Sequence, residues 1–273
     1  MPDWTHHLNN LANQLWRFSP ACRIPADPAR LRLVAHRGAY ISGNNSPAPE
    51  NTLAAFDRCV EHNIWGIELD VRLTADGEPV VHHDPACGRL FQRADIQISN
   101  TSFDKLRRQL PQIPHLQEVI EKYGKQMHLM IELKESWREH KPLQQQLTSL
   151  LAGLEPAENF HLLSLEPDHL EGFRQLPPAA LVDVALTNVK DILRQNHTLG
   201  HGAVAGSFAL LGNATIRQLQ QAGKQVGTGQ INQPDIMNRE AARGVNWLFS
   251  DTPLQLLQQS HQSATELSEN KHG

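Results

Sequence analysis

The chain has 273 residues, 40% of them hydrophobic and 20% charged, with a net charge of −4 and a pI near 6.4. That length supports one large domain with a sizeable core, and the absence of a basic stripe argues against a nucleic-acid partner. Cys22, Cys59 and Cys87 are odd in number and widely spaced, which argues against a disulfide or zinc framework and for a reducing, cytoplasmic setting.

Residues 1–30 lack the basic and apolar segments of a signal peptide, and no run is long enough to span a membrane. Trp4, Leu8, Leu11, Leu15 and Trp16 recur at roughly helical spacing. They predict an amphipathic lead-in helix packed on the body rather than a stable membrane anchor. Beyond residue 30, short apolar runs predict strands at 31–36, 65–74, 78–84, 126–134, 159–165, 179–186, 203–208, 224–232 and 245–251. Helical patterns fill 49–63, 114–124, 138–154, 166–176, 188–196, 213–223 and 234–243. Alternating strands and helices imply βαβ units and a parallel sheet, and about eight such units predict an irregular TIM-type (β/α)8 barrel in one domain, spanning 31–253. The irregularity is local. "TADGEP" leaves no room for a helix between 65–74 and 78–84, and its Asp-Gly is a hairpin signal. Residues 85–113 lack periodicity and predict an excursion over one barrel mouth, and 254–273 predict a polar tail that begins as a last helix.

Two carboxylates stand out. A strand's period of two puts Glu68 and Asp70 of "IELD" on one face. Two acids that lose hydration side by side call for a cation between them. Oxygen-only donors favour Mg²⁺ or Ca²⁺ over Zn²⁺, and Glu132 of "LMIELK" is the third candidate ligand. Lys134 shares the face of Glu132, and His36 and Arg37 end the first strand. Lysine and arginine suit phosphate oxygens, and histidine moves protons near neutral pH. "VVHHD" offers His82 or His83, on opposite sides of a strand; the pattern alone does not choose. Together these residues make a metal-dependent phosphodiester-cleaving site.

The order "HRG" (36–38), "PENT" (49–52), "ELDV" (68–71), "TADG" (74–77), "HD" (83–84) and "ELK" (132–134) resembles the glycerophosphodiester phosphodiesterase family. The resemblance is dense over 33–90 and 126–134 and thinner from 159 to 253. It implies an irregular TIM-type barrel and hydrolysis of a glycerophosphodiester to glycerol 3-phosphate and an alcohol. It further implies His36 and His83 as the acid–base pair, Glu68, Asp70 and Glu132 as ligands of one divalent cation, and Arg37 and Lys134 as phosphate contacts. Glu50 matches a family acid that could orient Arg37 or approach the metal, or simply complement a helix N-terminus; Asp84 reads as a turn or helix cap.

The chain departs from the family around the alcohol. Ten residues separate "HRG" from "PENT", and Phe91 follows Cys87 and Arg89 where the family often has a threonine. Where the family commonly has a Trp, this chain has Gly229, beside Gln230, and "GVNWLFSD" carries Asn246, Trp247 and Ser250. Trp247 is therefore the candidate to supply the missing aromatic wall to the substrate, the alternative being that it is a core or outer-face residue and the pocket is simply wider. One rival is lysophospholipase D-type activity on acylated substrates, with Tyr40, Ile41, Leu90, Phe91 and Trp247 taking the chain. Another is a catalytically silent barrel that only binds ligand.

Overall fold

The computed structural model describes Cys22 and residues 31–43, 45–140 and 142–260. The expected lead-in helix over 1–30, Cys22 apart, and the tail beyond 260 lie outside the described residues. The strands are β1 (Leu33–His36), β2 (Gly66–Leu73), β3 (Pro79–Val81), β4 (Ala86–Cys87), β5 (Arg93–Gln97), β6 (His128–Leu133), β7 (Phe160–Ser164), β8 (Leu181–Ala185), β9 (Ala203–Ser207), β10 (Gln225–Gly229) and β11 (Trp247–Ser250).

Eight of them run parallel in the order β1-β11-β10-β9-β8-β7-β6-β2, and β1 also pairs with β2, so the sheet closes into a barrel. β3 is the irregularity the Asp-Gly turn announced: it folds back antiparallel on β2. Gly77 makes that turn at φ 84°, a left-handed conformation a Cβ would disfavour, and its N–H donates to Thr74 O at 2.9 Å.

Each barrel strand sorts its side chains by parity. In β2 and β6, Ile67, Leu69, Ile131 and Leu133 point outward into a core shared with Phe56, Leu116 and Tyr123 of the surrounding helices. The opposite parity fills the barrel itself, where Val34, Met130, Leu163, Val182, Ala205, Trp247 and Phe249 pack together. A side chain of inward parity near the C-terminal end of a strand therefore reaches the mouth, whereas one near the start lies at the floor.

The helices differ from the expected ones mainly at their starts. The first runs over Leu53–Glu61 with Thr52 as its cap, the hydroxyl accepting from Ala55 N at 3.3 Å. Glu50 and Asn51 thus precede the helix and are free to serve the mouth. The run at 166–176 forms a 3₁₀ segment, Pro167–Phe173, instead of an α-helix. The excursion has structure of its own: β4 and β5 pair antiparallel, and a helix over Phe103–Gln109 follows. A small core of Cys87, Ile96, Ile98, Leu106 and Ile113 holds it on Val80 of β3. Residues 253–260 are helical, with Leu256 buried.

Candidate active site

The inward residues at the C-terminal ends of β1, β2 and β6 meet at one side of the mouth. Parallel register sets His36 against Glu68 and Asp70 against Glu132. Carboxylate oxygens of Glu68, Asp70 and Glu132 all lie within 4.8 Å of one another. Glu68 and Asp70 are almost wholly buried, and Glu68 Oε1 is buried without a hydrogen-bond partner. Three crowded acids, one with an orphaned oxygen, fit a hard divalent cation.

The charges around them are unequal, and so are the acids. Burial and the charge of Asp70 push the Glu68 carboxyl up to about 8. Burial and Asp70 also raise Glu132. Burial acts on Asp70 in the same direction, but Lys134, Arg37 and His83 outweigh it and hold that carboxyl well below the usual range. Lys134 Nζ sits 2.7 Å from Asp70 Oδ1 and also contacts Glu132. Arg37 Nε is 3.3 Å from Asp70 Oδ2.

Arg37 takes a left-handed φ of 59° immediately after β1. That turn aims its backbone N–H at Glu68 Oε2 (3.0 Å) while its guanidinium donates to Glu50 Oε1 (2.8 Å). Glu50 is gripped from the other side by Arg89, through Nη1 at 3.0 Å and Nη2 at 2.6 Å. Helix complementarity is therefore not its structural setting: it joins two arginines. Asn51, also left-handed at φ 58°, donates to Asp70 Oδ2 at 2.7 Å and accepts from Asp70 N at 3.2 Å. "PENT" thus supplies an arginine clamp, a carboxylate clamp and a helix cap in three successive residues.

The two histidines are each held by an aspartate. His36 Nδ1 lies 2.6 Å from Asp251 Oδ1, and Asn232 steadies Asp251 by donating to Oδ2 (3.2 Å) and accepting from its N–H (2.9 Å). Burial would lower the His36 pKa, but Glu68 and Asp251 overcome it and raise it to about 9. His83 Nδ1 lies 2.7 Å from Asp84 Oδ1, and Arg89 Nε donates to the other oxygen of Asp84 at 2.6 Å. Burial lowers the His83 pKa against the pull of Asp70. Asp84 is therefore a histidine partner as well as a turn residue. His83 lines the mouth cavity, whereas His82 turns into the excursion against Phe91, ring centroids 5.9 Å apart, and burial lowers it to about 4.

Of the expected site residues, His36, Arg37, Glu68, His83, Glu132 and Lys134 line one cavity, and Asp70 and Glu50 adjoin it. Trp247 does not. It opens β11, is fully buried, and packs edge-on against His161 at 4.6 Å in the barrel floor. Its parity is right for the interior but its depth is wrong for the substrate: two residues later Phe249 reaches the cavity, and four later Asp251 reaches His36. Phe249 is the aromatic neighbour of Gly229, where an added Cβ would lie 4.0 Å from Phe249 Cβ. Sequence reasoning also passed over Asp251, Asn51 and Arg89. Asp251 had a signal, since it ends a strand with the parity of Trp247; Arg89 had none, because only the fold of the excursion brings it to Glu50.

Residues 36–255 match the glycerophosphoryl diester phosphodiesterase family model. YhdW of Bacillus subtilis (strain 168) is 27% identical over 236 residues, covering 81% of this chain and 94% of YhdW. Human glycerophosphodiester phosphodiesterase 1 is 34% identical over 101 residues, 35% of this chain and 28% of the human protein. An Oleispira antarctica phosphodiesterase, solved with the product sn-glycerol-3-phosphate, superposes with a TM-score of 0.70 at 26% identity, covering 85% of this chain and 96% of that one. The glycerophosphodiester phosphodiesterase of Thermotoga maritima shares the fold, with a TM-score of 0.68 at 22% identity over 84% of this chain and 97% of its own.

Proposed function

This chain belongs to the glycerophosphoryl diester phosphodiesterase family, and we propose that it cleaves glycerophosphodiesters to glycerol 3-phosphate and an alcohol by histidine acid–base catalysis. The observation that carries this reading is the mouth itself: three converging carboxylates between two aspartate-held histidines, with Arg37 and Lys134 beside them.

Glu68, Asp70 and Glu132 would hold one divalent cation, Mg²⁺ or Ca²⁺. When bound, such a cation supplies Lewis-acid stabilisation of the charge on the phosphoryl oxygens. Arg37 and Lys134 bind the anionic diester, Arg37 in an orientation fixed by Glu50. His83, held neutral by burial, accepts the proton of the attacking hydroxyl, which belongs to water or to a neighbouring hydroxyl of the substrate. His36, whose pKa Glu68 and Asp251 raise, donates a proton to the leaving alkoxide. Asp251 and Asp84 fix the ring orientations and leave each Nε2 for the substrate. Oppositely displaced histidines are what such a division of labour requires.

The reaction would take place in a reducing compartment, the cytoplasm being the natural one, which buried cysteines outside any disulfide, Cys59 and Cys87 among them, support. No helix among the described residues is long and apolar enough to cross a membrane. The test is turnover of glycerophosphocholine, glycerophosphoethanolamine, glycerophosphoglycerol and an aryl phosphodiester, each with Mg²⁺, Ca²⁺ or EDTA. Metal-supported release of glycerol 3-phosphate is expected. A cyclic phosphate intermediate would identify the neighbouring hydroxyl as nucleophile. Turnover undiminished by EDTA would remove the cation, and no turnover of any diester would leave only a ligand-binding barrel.

A further inference from the structure

Two acids of the mouth act at one remove from the reacting groups, and one guanidinium grips both. Asp84 turns Oδ1 to His83 Nδ1 and accepts from Arg89 Nε at Oδ2, 2.6 Å away. Glu50 accepts from Arg37 at Oε1. Arg89 closes on the same carboxylate with both terminal nitrogens, Nη1 to Oε2 at 3.0 Å and Nη2 to Oε1 at 2.6 Å. All three nitrogens of the Arg89 fork are thus engaged. The relay to the phosphate contact and the relay to the proposed general base meet in this one side chain.

Arg89 comes from outside the barrel. It sits in the helical turn Gly88–Phe91 between β4 and β5. The turn is tight: a Cβ on Gly88 would lie 3.2 Å from Ala94 Cβ, and Gln92 ends it at a left-handed φ of 56°. Phe91, stacked on His82, pins the turn to the residue before His83. The excursion does not need Arg89 to stay on the barrel, since its own core against Val80 holds it there. Nor is stability an adequate reason for three bonds from a side chain that is 47% exposed, because ion pairs so open to water contribute little. What the fork fixes is geometry and charge. Arg37 also approaches Asp70, at 3.3 Å, so two acids compete for a cation that an anionic diester needs. Arg89 takes a share of the Glu50 charge and leaves more of the Arg37 field for phosphate. Burial would raise Glu50 and Asp84, but Arg89, with Arg37 on one and His83 on the other, holds both low, Asp84 at about 2.

Resting on the phosphodiesterase reading, we propose that Arg89 is a positioning residue for that reaction: through Glu50 it sets the phosphate contact of Arg37, and through Asp84 it sets the ring of His83. Arg89 itself lies outside the cavity lining. Its two arms differ in what they change. A loosened Arg37 weakens the grip on the anionic diester and raises KM. A loosened His83 ring misaligns proton transfer and lowers kcat. Lysine is no substitute, because one ammonium on a flexible stem does not reproduce three donors in a fixed fork.

Steady-state kinetics of the full chain with Mg²⁺ or Ca²⁺ test this, on whichever diester of the panel above turns over fastest. Arg89→Met and Arg89→Lys should each raise KM about fivefold and lower kcat about tenfold. The melting temperature should move by no more than about 3 °C in either variant, with circular dichroism confirming that both fold. A merely structural role would lower the melting temperature and leave both constants in place. Two double-mutant cycles separate the arms. In an Asp84→Asn background, Arg89→Met should no longer lower kcat but should still raise KM. In a Glu50→Gln background it should no longer raise KM but should still lower kcat. The junction is overturned by kcat and KM within about twofold of wild type in both Arg89 variants, by full activity of the lysine variant, or by effects that persist undiminished in either background. Each of these leaves the phosphodiesterase reading intact. Absence of wild-type turnover with every diester overturns the two together.

Discussion

Both ends of the barrel hold a pair of histidines, half-buried at the mouth and buried at the floor, and the mouth splits its pair, burial lowering His83 while acids raise His36. At the mouth, Glu68 and Asp251 raise His36 to about 9. At the floor, His128 and His161 lie 2.6 Å apart, His128 Nδ1 donating to Glu158 O at 2.9 Å and its Nε2 accepting from His161 Nδ1. Trp65 stacks on His128 at 4.4 Å, Trp247 closes over His161, and no carboxylate is among their bonded partners. Burial lowers the pair to about 4 and about 3. The floor's rings are neutral groups whose facing nitrogens satisfy each other; each of the mouth's is held by an aspartate, and His36 also faces Glu68, whose Oε1 has no hydrogen-bond partner. Residue type is shared, so the difference in role comes from how deeply each ring is buried and from the company it keeps.

The largest expected effect is on turnover. His36→Ala and His83→Ala should each lower kcat roughly 10²-fold or more, as loss of a general acid or base does, with the melting temperature little changed. His161→Asn should do the reverse, holding kcat within about threefold while the protein melts earlier, and His82→Ala should stay within a few-fold of wild type. Comparable losses of kcat at 36, 83 and 161 would erase the distinction between the two ends.

Cation removal sharpens it. EDTA should abolish turnover, and Mg²⁺ or Ca²⁺ should restore it. In the metal-free chain Glu68 is raised from 4.5 to about 8, so the folded state holds a proton that the unfolded state releases, and this group's contribution to stability falls as pH rises from about 4.5 to about 8. Added cation should therefore raise the melting temperature more at pH 8 than at pH 5.5. Glu68→Gln should flatten that difference and weaken cation binding, since it removes one of the crowded charges. A melt that does not respond to either cation at pH 8 would count against the carboxylate site.

The floor has the opposite pH sign. His128 and His161 are depressed from 6.5, so between about pH 4 and 6.5 the unfolded state binds the extra protons. Stability should therefore be lost as pH falls through that window and be flat in these groups above it, with a cost on the order of 3 kcal/mol per ring. Denaturant melts from pH 7 to pH 4.5 measure this, and His161→Asn should remove roughly half of the slope.

The smallest effect is the most pointed. Trp247→Phe should leave KM for a glycerophosphodiester within about twofold and lower only stability, because the ring lies beneath the cavity, whereas Phe249→Ala should raise KM. A KM that moved with Trp247 and not with Phe249 would mean the depth ordering of β11 is wrong.

Much of the mouth was legible because its residues are fixed by short-range rules. Parity put Glu68 and Asp70 on one face, the strand ends put His36 and Glu132 at one rim, and Asp-Gly forced the hairpin that makes this barrel irregular; His83 rather than His82 followed from the family resemblance and not from the pattern. Glu50 was legible as a member of the site but not in its partners: Arg89 reaches it only because the ribbon of β4 and β5 folds back over the mouth. Trp247 failed for a related reason. Alternation gives the side of a strand, but the height of a residue inside a closed barrel depends on the stagger of neighbouring strands, as in Gly227 facing Trp247 across β10 and β11.

The sequence by itself determined the fold class, the inward parity of each strand and the identity of the groups at the strand ends, since these follow from local periodicity and turn chemistry. Only the tertiary structure decided which aspartate holds which histidine, which arginines share Glu50, and that Phe249 rather than Trp247 faces the cavity. Those pairings join residues as far apart in the chain as His36 and Asp251. Their geometry is set by barrel closure and strand stagger, which no local stretch of sequence encodes.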